Sequence, residues 1–89
     1  MRMIIEENNK EGLDALLGKR VLLMTAGYFY EGKLVGVNAS CVKIEDPSVV
    51  YETGKWTDDS YADIQKMNAS HWYVAMGLIE SFGLSKDAE

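Results

Sequence analysis

Apolar residues near the start of the chain recur at the spacing of an α-helix. Leu13, Leu16 and Leu17 stand at positions i, i+3 and i+4, which places them on one helical face. Asn8 is a suitable N-cap residue, and Gly18 suits the left-handed position that follows a helix. The pattern predicts one short α-helix over residues 8–18. Residues 1–7 form a lead-in for which an extra strand and a frayed end are both open.

From Lys19 onwards the pattern changes to that of β-strands. Five strands are predicted from β-branched, aromatic and alternating apolar positions, at residues 21–25, 28–37, 41–45 with a continuation at 49–51, 71–75 and 79–82. Gly32 and Gly36 lie inside the second strand, where a glycine marks a bulge or a bend that curls a sheet. Asp46 and Pro47 are expected at a strand end or bulge, because proline cannot donate to a ladder.

A polar segment at residues 52–70 separates the third predicted strand from the fourth. It contains Gly54, Asp58, Asp59 and Ser60, and we expect a long variable loop with a few ordered strand residues near Trp56. Residues 84–89 are expected to form a disordered tail. The 89 residues leave room for a single domain, residues 1–89.

The charge balance limits the classes of partner. Lys and Arg number 9 and Asp and Glu number 14, which gives a net charge of −5 and disfavours general affinity for nucleic acid. Four basic residues near the predicted strands could still form a local attractive site: Lys19, Arg20, Lys33 and Lys43. The sequence has no apolar run of transmembrane length and no signal-peptide pattern, so we expect no membrane association and a cytoplasmic setting.

Few side chains suggest catalytic or metal chemistry. Cys41 and His71 are the only Cys and His, and a thiolate–imidazole pair would still need an orienting group and an oxyanion donor. Asp58, Asp59 and Asp63 lack the glycine and terminal Glu of an EF-hand, which favours a solvated loop over a cation site. We therefore expect a non-enzymatic protein with no cofactor and no bound metal.

Aromatic residues on the predicted strands leave two interpretations open. Tyr28, Tyr30, Trp72 and Tyr73 lie on predicted strands. Aromatic rings on a sheet can stack nucleic-acid bases, but core packing and subunit contact are the commoner uses, and we favour those.

Five segments of the sequence together carry a family pattern: Leu13-x-x-Leu16-Leu17-Gly18-Lys19-Arg20-Val21, Gly27-x4-Gly32-Lys33-Leu34-Val35-Gly36-Val37-Asn38, Cys41-Val42-Lys43-Ile44-Glu45-Asp46, Val49-Val50-Tyr51-Glu52 and Val74-Ala75-Met76-Gly77. These segments resemble the Sm-like family (Sm, LSm and Hfq types), including its short acidic phage or environmental homologues. The second segment resembles the first Sm motif and is the most specific. Asn38 stands where the family has Asp, and Met76 where it often has Arg.

The resemblance implies a fold and an assembly. The expected fold is an N-terminal helix followed by a strongly bent five-stranded antiparallel barrel. The expected assembly is a ring of five to seven subunits that pairs the fourth strand of one subunit with the fifth of the next. The interface would contain Trp72, Tyr73, Val74, Ala75, Leu78, Ile79 and Phe82.

The same resemblance implies single-stranded RNA as a candidate partner around the pore. The positions that match are Asn38, Ser40, Cys41, Lys43, Met76 and Gly77. The alternative is a ring that has lost the RNA pocket and acts as a structural scaffold for other proteins.

Overall fold

Antiparallel β-strands make up most of the part of the chain that the computed structural model describes, residues 11–86. The strands are β1 (Arg20–Thr25), β2 (Phe29–Val37), β3 (Cys41–Glu52), β4 (Asp63–Lys66), β5 (His71–Ala75) and β6 (Ile79–Leu84). Two short 3-10 helices lie at Leu13–Leu16 and Met76–Leu78. The prediction of a mainly β protein is confirmed.

The strands form one sheet in the order β4-β3-β2-β1-β6, and β5 also pairs with β3. The long strand β3 pairs with β2 along one edge. On its other edge, residues 41–45 pair with β5 and residues 48–52 pair with β4. Thus β4 and β5 lie end to end beside β3. Among the described residues this outer edge does not pair with β6, so the sheet is open.

A bulge bends the sheet at the middle of β3. Glu31 pairs with Ser48 and Lys33 pairs with Glu45, so β3 has one more residue than β2 in this interval. Asp46 lies in the extra stretch with a left-handed φ of 51°, and the buried Pro47 follows it. A Cβ atom on Gly32 would stand 3.1 Å from the carbonyl oxygen of Glu45, so the strands approach there more closely than a side chain allows. The bulge expected from Gly32 and from Asp46–Pro47 is thus a single irregularity in which these residues face each other, and a second register shift lies between Leu34 and Gly36.

Two apolar clusters pack against the sheet. The larger one joins buried side chains of the first 3-10 helix and of four strands: Leu13, Val21, Leu23, Leu34, Val42, Ile44 and Val74. The smaller one contains Leu22, Val50 and Tyr61. Tyr61 comes from the segment between β3 and β4, so this segment covers apolar side chains that would otherwise face water.

The predicted N-terminal α-helix is not present over the described residues. Residues 8–10 of the prediction lie outside them, and within residues 11–18 only the 3-10 helix at Leu13–Leu16 forms. Gly12 precedes it with φ 73° and ψ −156°, a conformation outside the helical region, and Leu17 leaves it with an extended ψ of 131°. Gly18 has the expected positive φ, 87°.

The variable loop and the tail also differ from the sequence prediction. The sheet has six strands rather than five, because β4 lies inside the predicted loop at residues 52–70. The strand residues of this segment are at 63–66 and not near Trp56; Ile64 pairs with Val50 and packs on the smaller cluster. In the predicted tail, Leu84 belongs to β6, Ser85 is buried and Lys86 is hydrogen-bonded, because both contact the 53–61 segment. Residues 87–89 lie outside the described part.

Candidate functional site

The turn between β2 and β3 is built around the side chain of Asn38. Its Oδ1 atom accepts hydrogen bonds from the backbone N–H groups of Ser40 at 2.7 Å and Cys41 at 2.9 Å. The Asn38 N–H donates to the carbonyl of Cys41 at 3.0 Å. The carboxamide oxygen therefore stabilises the turn. The side-chain NH₂ group of this exposed residue remains able to donate hydrogen bonds to a ligand.

This turn lies beside the last of the five Sm-like segments, Val74–Gly77. The N–H of Met76 donates to the carbonyl of Ser40 at 2.8 Å, and Cys41 pairs with Ala75 across β3 and β5. Gly77 follows in the exposed 3-10 helix. The structure thus brings together Asn38, Ser40, Cys41, Met76 and Gly77, which the sequence predicted as RNA-contacting positions.

Lys43 and Tyr73 form a pair next to this turn. They are opposite each other on β3 and β5, and Lys43 Nζ lies 5.6 Å from the centre of the Tyr73 ring. With Gly36, Val37, Asn38 and Cys41 they line a shallow depression of about 240 Å³. Tyr73, which is 60% exposed, was predicted only as an interface residue. The sequence could not place it beside Lys43, because that contact depends on the register between two strands about thirty residues apart.

The outer edge of β5 carries unpaired backbone groups. The N–H of Met76 donates to the carbonyl of Ser40, and the N–H of Asp46 on β3 donates to the carbonyl of Ser70. The backbone N–H and C=O groups of the even-numbered residues between 70 and 76 therefore point toward β3. Antiparallel ladders alternate, so the N–H and C=O groups of His71, Tyr73 and Ala75 point away from the sheet.

The outer edge of β6 is unpaired in the same way. The N–H of Ser85 donates to the carbonyl of Arg20 on β1. Because backbone groups of successive residues in an antiparallel strand point alternately to either side, those of Phe82 and Leu84 point away from β1. Their side chains are 43% and 55% exposed. Within residues 11–86 the sheet thus has two free edges, one formed by β4 and β5 end to end and the other by β6, and both β5 and β6 carry exposed apolar side chains.

The predicted interface residues divide into two groups. Trp72, Tyr73, Ala75, Leu78 and Phe82 are exposed near the free edges. Val74 is buried in the larger cluster with Val42 and Ile44, and Ile79 packs against that cluster. The side chain of Val74 thus belongs to the core of its own subunit, and its place in the subunit interface stays a prediction.

Arg20, expected as a cation that could attract RNA, is engaged inside the subunit. Its guanidinium donates to Glu31 at 2.6 and 2.7 Å and to Asp46 Oδ2 at 3.2 Å. Glu31 is only 1% exposed, and Arg20 is its ion-pair partner. The hydrogen bond with Glu31 raises the pKa of Arg20, and the hydrogen bond from Lys66, with a further contribution from Arg20, lowers the pKa of Asp46.

The residues considered for catalysis or metal binding do not converge. Cys41 and His71 lie at opposite ends of the β3–β5 pairing, opposite Ala75 and Glu45 respectively. Asp58 Oδ2 accepts a hydrogen bond from the backbone of Lys55. Within residues 11–86, no three His, Cys, Asp or Glu side chains are close enough together to hold a metal ion. The same residues include no helix with the length and apolar character needed to cross a membrane.

Comparisons with known proteins add no assignment. No known protein-family model matches the chain, and no curated protein matches its sequence.

Proposed function

We propose that this protein is a ring-forming Sm-like protein in which the β5 edge of one subunit pairs with the β6 edge of the next, and that the ring contacts single-stranded RNA weakly. The observation that carries the proposal is the pair of free edges on opposite sides of the sheet among residues 11–86, with β5, which continues the β4 edge, on one side and β6 on the other. Unpaired apolar edges are a hazard that natural proteins cover. Two different edges on one chain match each other head to tail, and such contacts close into rings when the rotation allows.

The strand order supports the same proposal. The Sm-like segments of the sequence fall on β1, β2, β3 and β5, and the pairing of the two longest strands, β2 and β3, shifts register at Gly32 and again before Gly36. In this interpretation β4 and β5 together act as the fourth strand of the expected barrel, and β6 acts as the fifth. The barrel would then be completed between neighbouring subunits rather than within one.

The RNA contact is proposed for the depression beside Asn38. Tyr73 offers a ring face for base stacking, Lys43 offers a positive charge, and the side-chain amide of Asn38 offers donors. The net charge of −5 per subunit opposes long-range attraction, so binding depends on contacts within a Debye length, about 8 Å at physiological salt.

Proline substitution at Ala75 tests the assembly edge. Ala75 has a φ of −63°, which proline adopts without strain, and its N–H points away from β3. Ala75→Pro should remove one outward donor and keep the subunit folded, whereas Ala75→Ser keeps that donor. We expect sedimentation velocity to show a smaller species for Ala75→Pro only. If both variants sediment like the parent, the interface lies elsewhere.

A protein scaffold is the second candidate function. Two observations favour it: the Asn38 oxygen is already used by the turn, and Met76 offers no charge to a phosphate. Titration of labelled oligo-uridylate and oligo-adenylate at low salt separates the two functions. RNA binding predicts an affinity that falls with salt, with a log–log slope of about −0.7 per phosphate contacted, and that weakens in Lys43→Met. A scaffold predicts no binding at any salt concentration.

A further inference from the structure

A set of polar contacts joins the segment before β4 to the residues after β6, and we name it the Lys86 clasp. The Tyr61 hydroxyl lies 3.1 Å from Ser85 Oγ and accepts a hydrogen bond from the backbone N–H of Lys86 at 3.1 Å. Tyr61 and Ser85 are both buried. The Lys86 ammonium donates to two backbone carbonyls of the segment and faces two of its aromatic rings. The clasp therefore contains Thr53, Lys55, Trp56, Tyr61, Ser85 and Lys86.

The clasp connects the two ends of the open sheet. β4 and β6 are the outermost strands of the sheet order, and within residues 11–86 no ladder joins them. Tyr61 lies just before β4, which begins at Asp63, and Ser85 directly follows β6. A contact between these two places limits how far the sheet can curl or open, because the strands between them are paired side by side.

The position of β6 depends on few other contacts in the described part of the chain. Its backbone pairs with β1 on one side, and none of its six side chains is buried. The twist between adjacent strands varies over a range of about 25° in sheets in general. The ladder with β1 therefore leaves the orientation of the β6 edge adjustable, and the clasp restricts it.

We propose that the Lys86 clasp sets the angle between the β5 and β6 edges and thereby selects the number of subunits in the ring; the inference rests on the ring assembly proposed above. In a head-to-tail ring, the relation between the two edges of one subunit is repeated around the axis, so it determines the rotation per subunit. Rings of six and seven subunits differ by only about 9° in this rotation. A contact that restricts the curl of the sheet can therefore select one closed ring.

The charge of Lys86 gives the clasp its strength. Hydrogen bonds from a charged donor are stronger than those between neutral groups, and aromatic ring faces attract a cation. A methionine at this position would keep an unbranched side chain and lose both interactions. Lys86 is thus a positioning residue for the assembly, although it is not among the residues predicted for the interface.

Native mass spectrometry of the full chain tests this role, because it counts subunits directly. The parent should give one closed oligomer. Lys86→Met should give two or more stoichiometries, or smaller species, at the same concentration, because the edges are no longer held at one angle. Tyr61→Phe removes only the hydroxyl of the clasp and should broaden the distribution in the same direction to a smaller extent.

Two control variants separate this role from general effects. Lys33→Met removes a positive charge from an exposed position on the central strand β2. Ile44→Val removes one buried methylene from the larger apolar cluster and so lowers stability without touching the clasp. Both should keep the single oligomer of the parent, and circular dichroism shows that each variant is folded.

The outcomes distinguish this inference from the ring itself. If the folded clasp variants give the single stoichiometry of the parent, the clasp does not select the ring and the inference is wrong, while the ring stands. Tyr61→Phe decides the matter if Lys86→Met does not fold. Controls that disperse as much as the clasp variants would also overturn the inference. A parent that forms no closed oligomer would contradict the proposed ring, and the inference with it.

Discussion

Lys86 Nζ donates a hydrogen bond to the backbone carbonyl of Thr53 at 2.7 Å. It donates a second at 2.7 Å to the carbonyl of Lys55, and the rings of Trp56 and Tyr61 lie 5.6 and 5.2 Å from it. The ammonium group of Lys86 thus holds the 53–61 segment against the end of β6 through hydrogen bonds and ring contacts. The same segment brings Tyr61 into the smaller apolar cluster, so Lys86 stabilises the packing there.

Loss of the Lys86 ammonium should loosen this segment. Lys86→Met keeps the aliphatic stem but removes the charged donors, and we expect the free energy of unfolding to fall by about 2 kcal/mol, since hydrogen bonds to charged groups contribute about 1.5–3 kcal/mol each. Urea denaturation followed by tryptophan fluorescence measures this change.

Added amines provide the control for that prediction. In Lys86→Ala, methylammonium should recover part of the stability by occupying the carbonyl site, whereas tetramethylammonium, which has no N–H, should not. A Lys86→Met protein as stable as the parent would show that the hydrogen bonds contribute nothing.

Acid should weaken the ion-pair cluster around Asp46. The Lys66 hydrogen bond, together with Arg20, lowers the pKa of Asp46, so the stabilisation is present above the ordinary Asp pKa of about 3.9 and is lost as the pH falls through the folded-state value. Asp46→Asn keeps a residue that tolerates the left-handed backbone and removes the charge. We expect it to cost at most about 1 kcal/mol at neutral pH, because both pairs of Asp46 are partly exposed.

The test is the pH dependence of unfolding. The stability curves of the parent and of Asp46→Asn should approach each other below about pH 3.9. Glu31→Gln serves as a contrast, because it removes the charge that strengthens the two hydrogen bonds between the buried Glu31 and Arg20, while Arg20 keeps Asp46 as a partner; it should cost about 1.5 kcal/mol at neutral pH. Parallel curves for Asp46→Asn at all pH values would contradict the assignment.

The two glycines of β2 should differ in their tolerance of a methyl group. A Cβ on Gly32 would lie 3.1 Å from both the Glu45 carbonyl oxygen and Ile44 Cβ, whereas a Cβ on Gly36 would meet only Lys43 Cβ, at 3.4 Å. Gly32→Ala should destabilise the fold by about 1–3 kcal/mol through overpacking, and Gly36→Ala by less than about 1 kcal/mol. Chemical denaturation of both variants checks the order, and equal costs would mean that the close approach at Gly32 relaxes freely.

The sequence pattern predicted the strands that carry dense apolar or aromatic residues. The predictions for β1, β2, β5 and β6 agree with the structure to within about two residues, because alternation and β-branched residues are local signals. The pattern missed β4, since Ile64 is the single apolar residue of Asp63–Lys66 and the strand forms by pairing with β3. It divided β3 at Pro47, although the bulge carries the strand past that proline.

The candidate site was only partly predictable, because its contacts depend on register. The adjacency of the Asn38 turn and Met76 followed from the family resemblance. Three contacts could be found only by knowing which residues face each other across strands. They are the pairing of Lys43 with Tyr73, the burial of the Val74 side chain in the core, and the ion pair of Arg20 with Glu31. The roles of Ser85 and Lys86 were missed for the same reason, since their partners lie in a segment that has no periodic pattern.

Native mass spectrometry of the full chain tests the central claim, the closed ring, most directly. The proposed β5–β6 pairing predicts one dominant oligomer of five to seven subunits, with no ladder of larger species, because a closed ring leaves no free edge. That oligomer should dissociate in Ala75→Pro and persist in Ala75→Ser. A monomer, or an open-ended series of oligomers, at the concentrations where the parent is folded would contradict the ring.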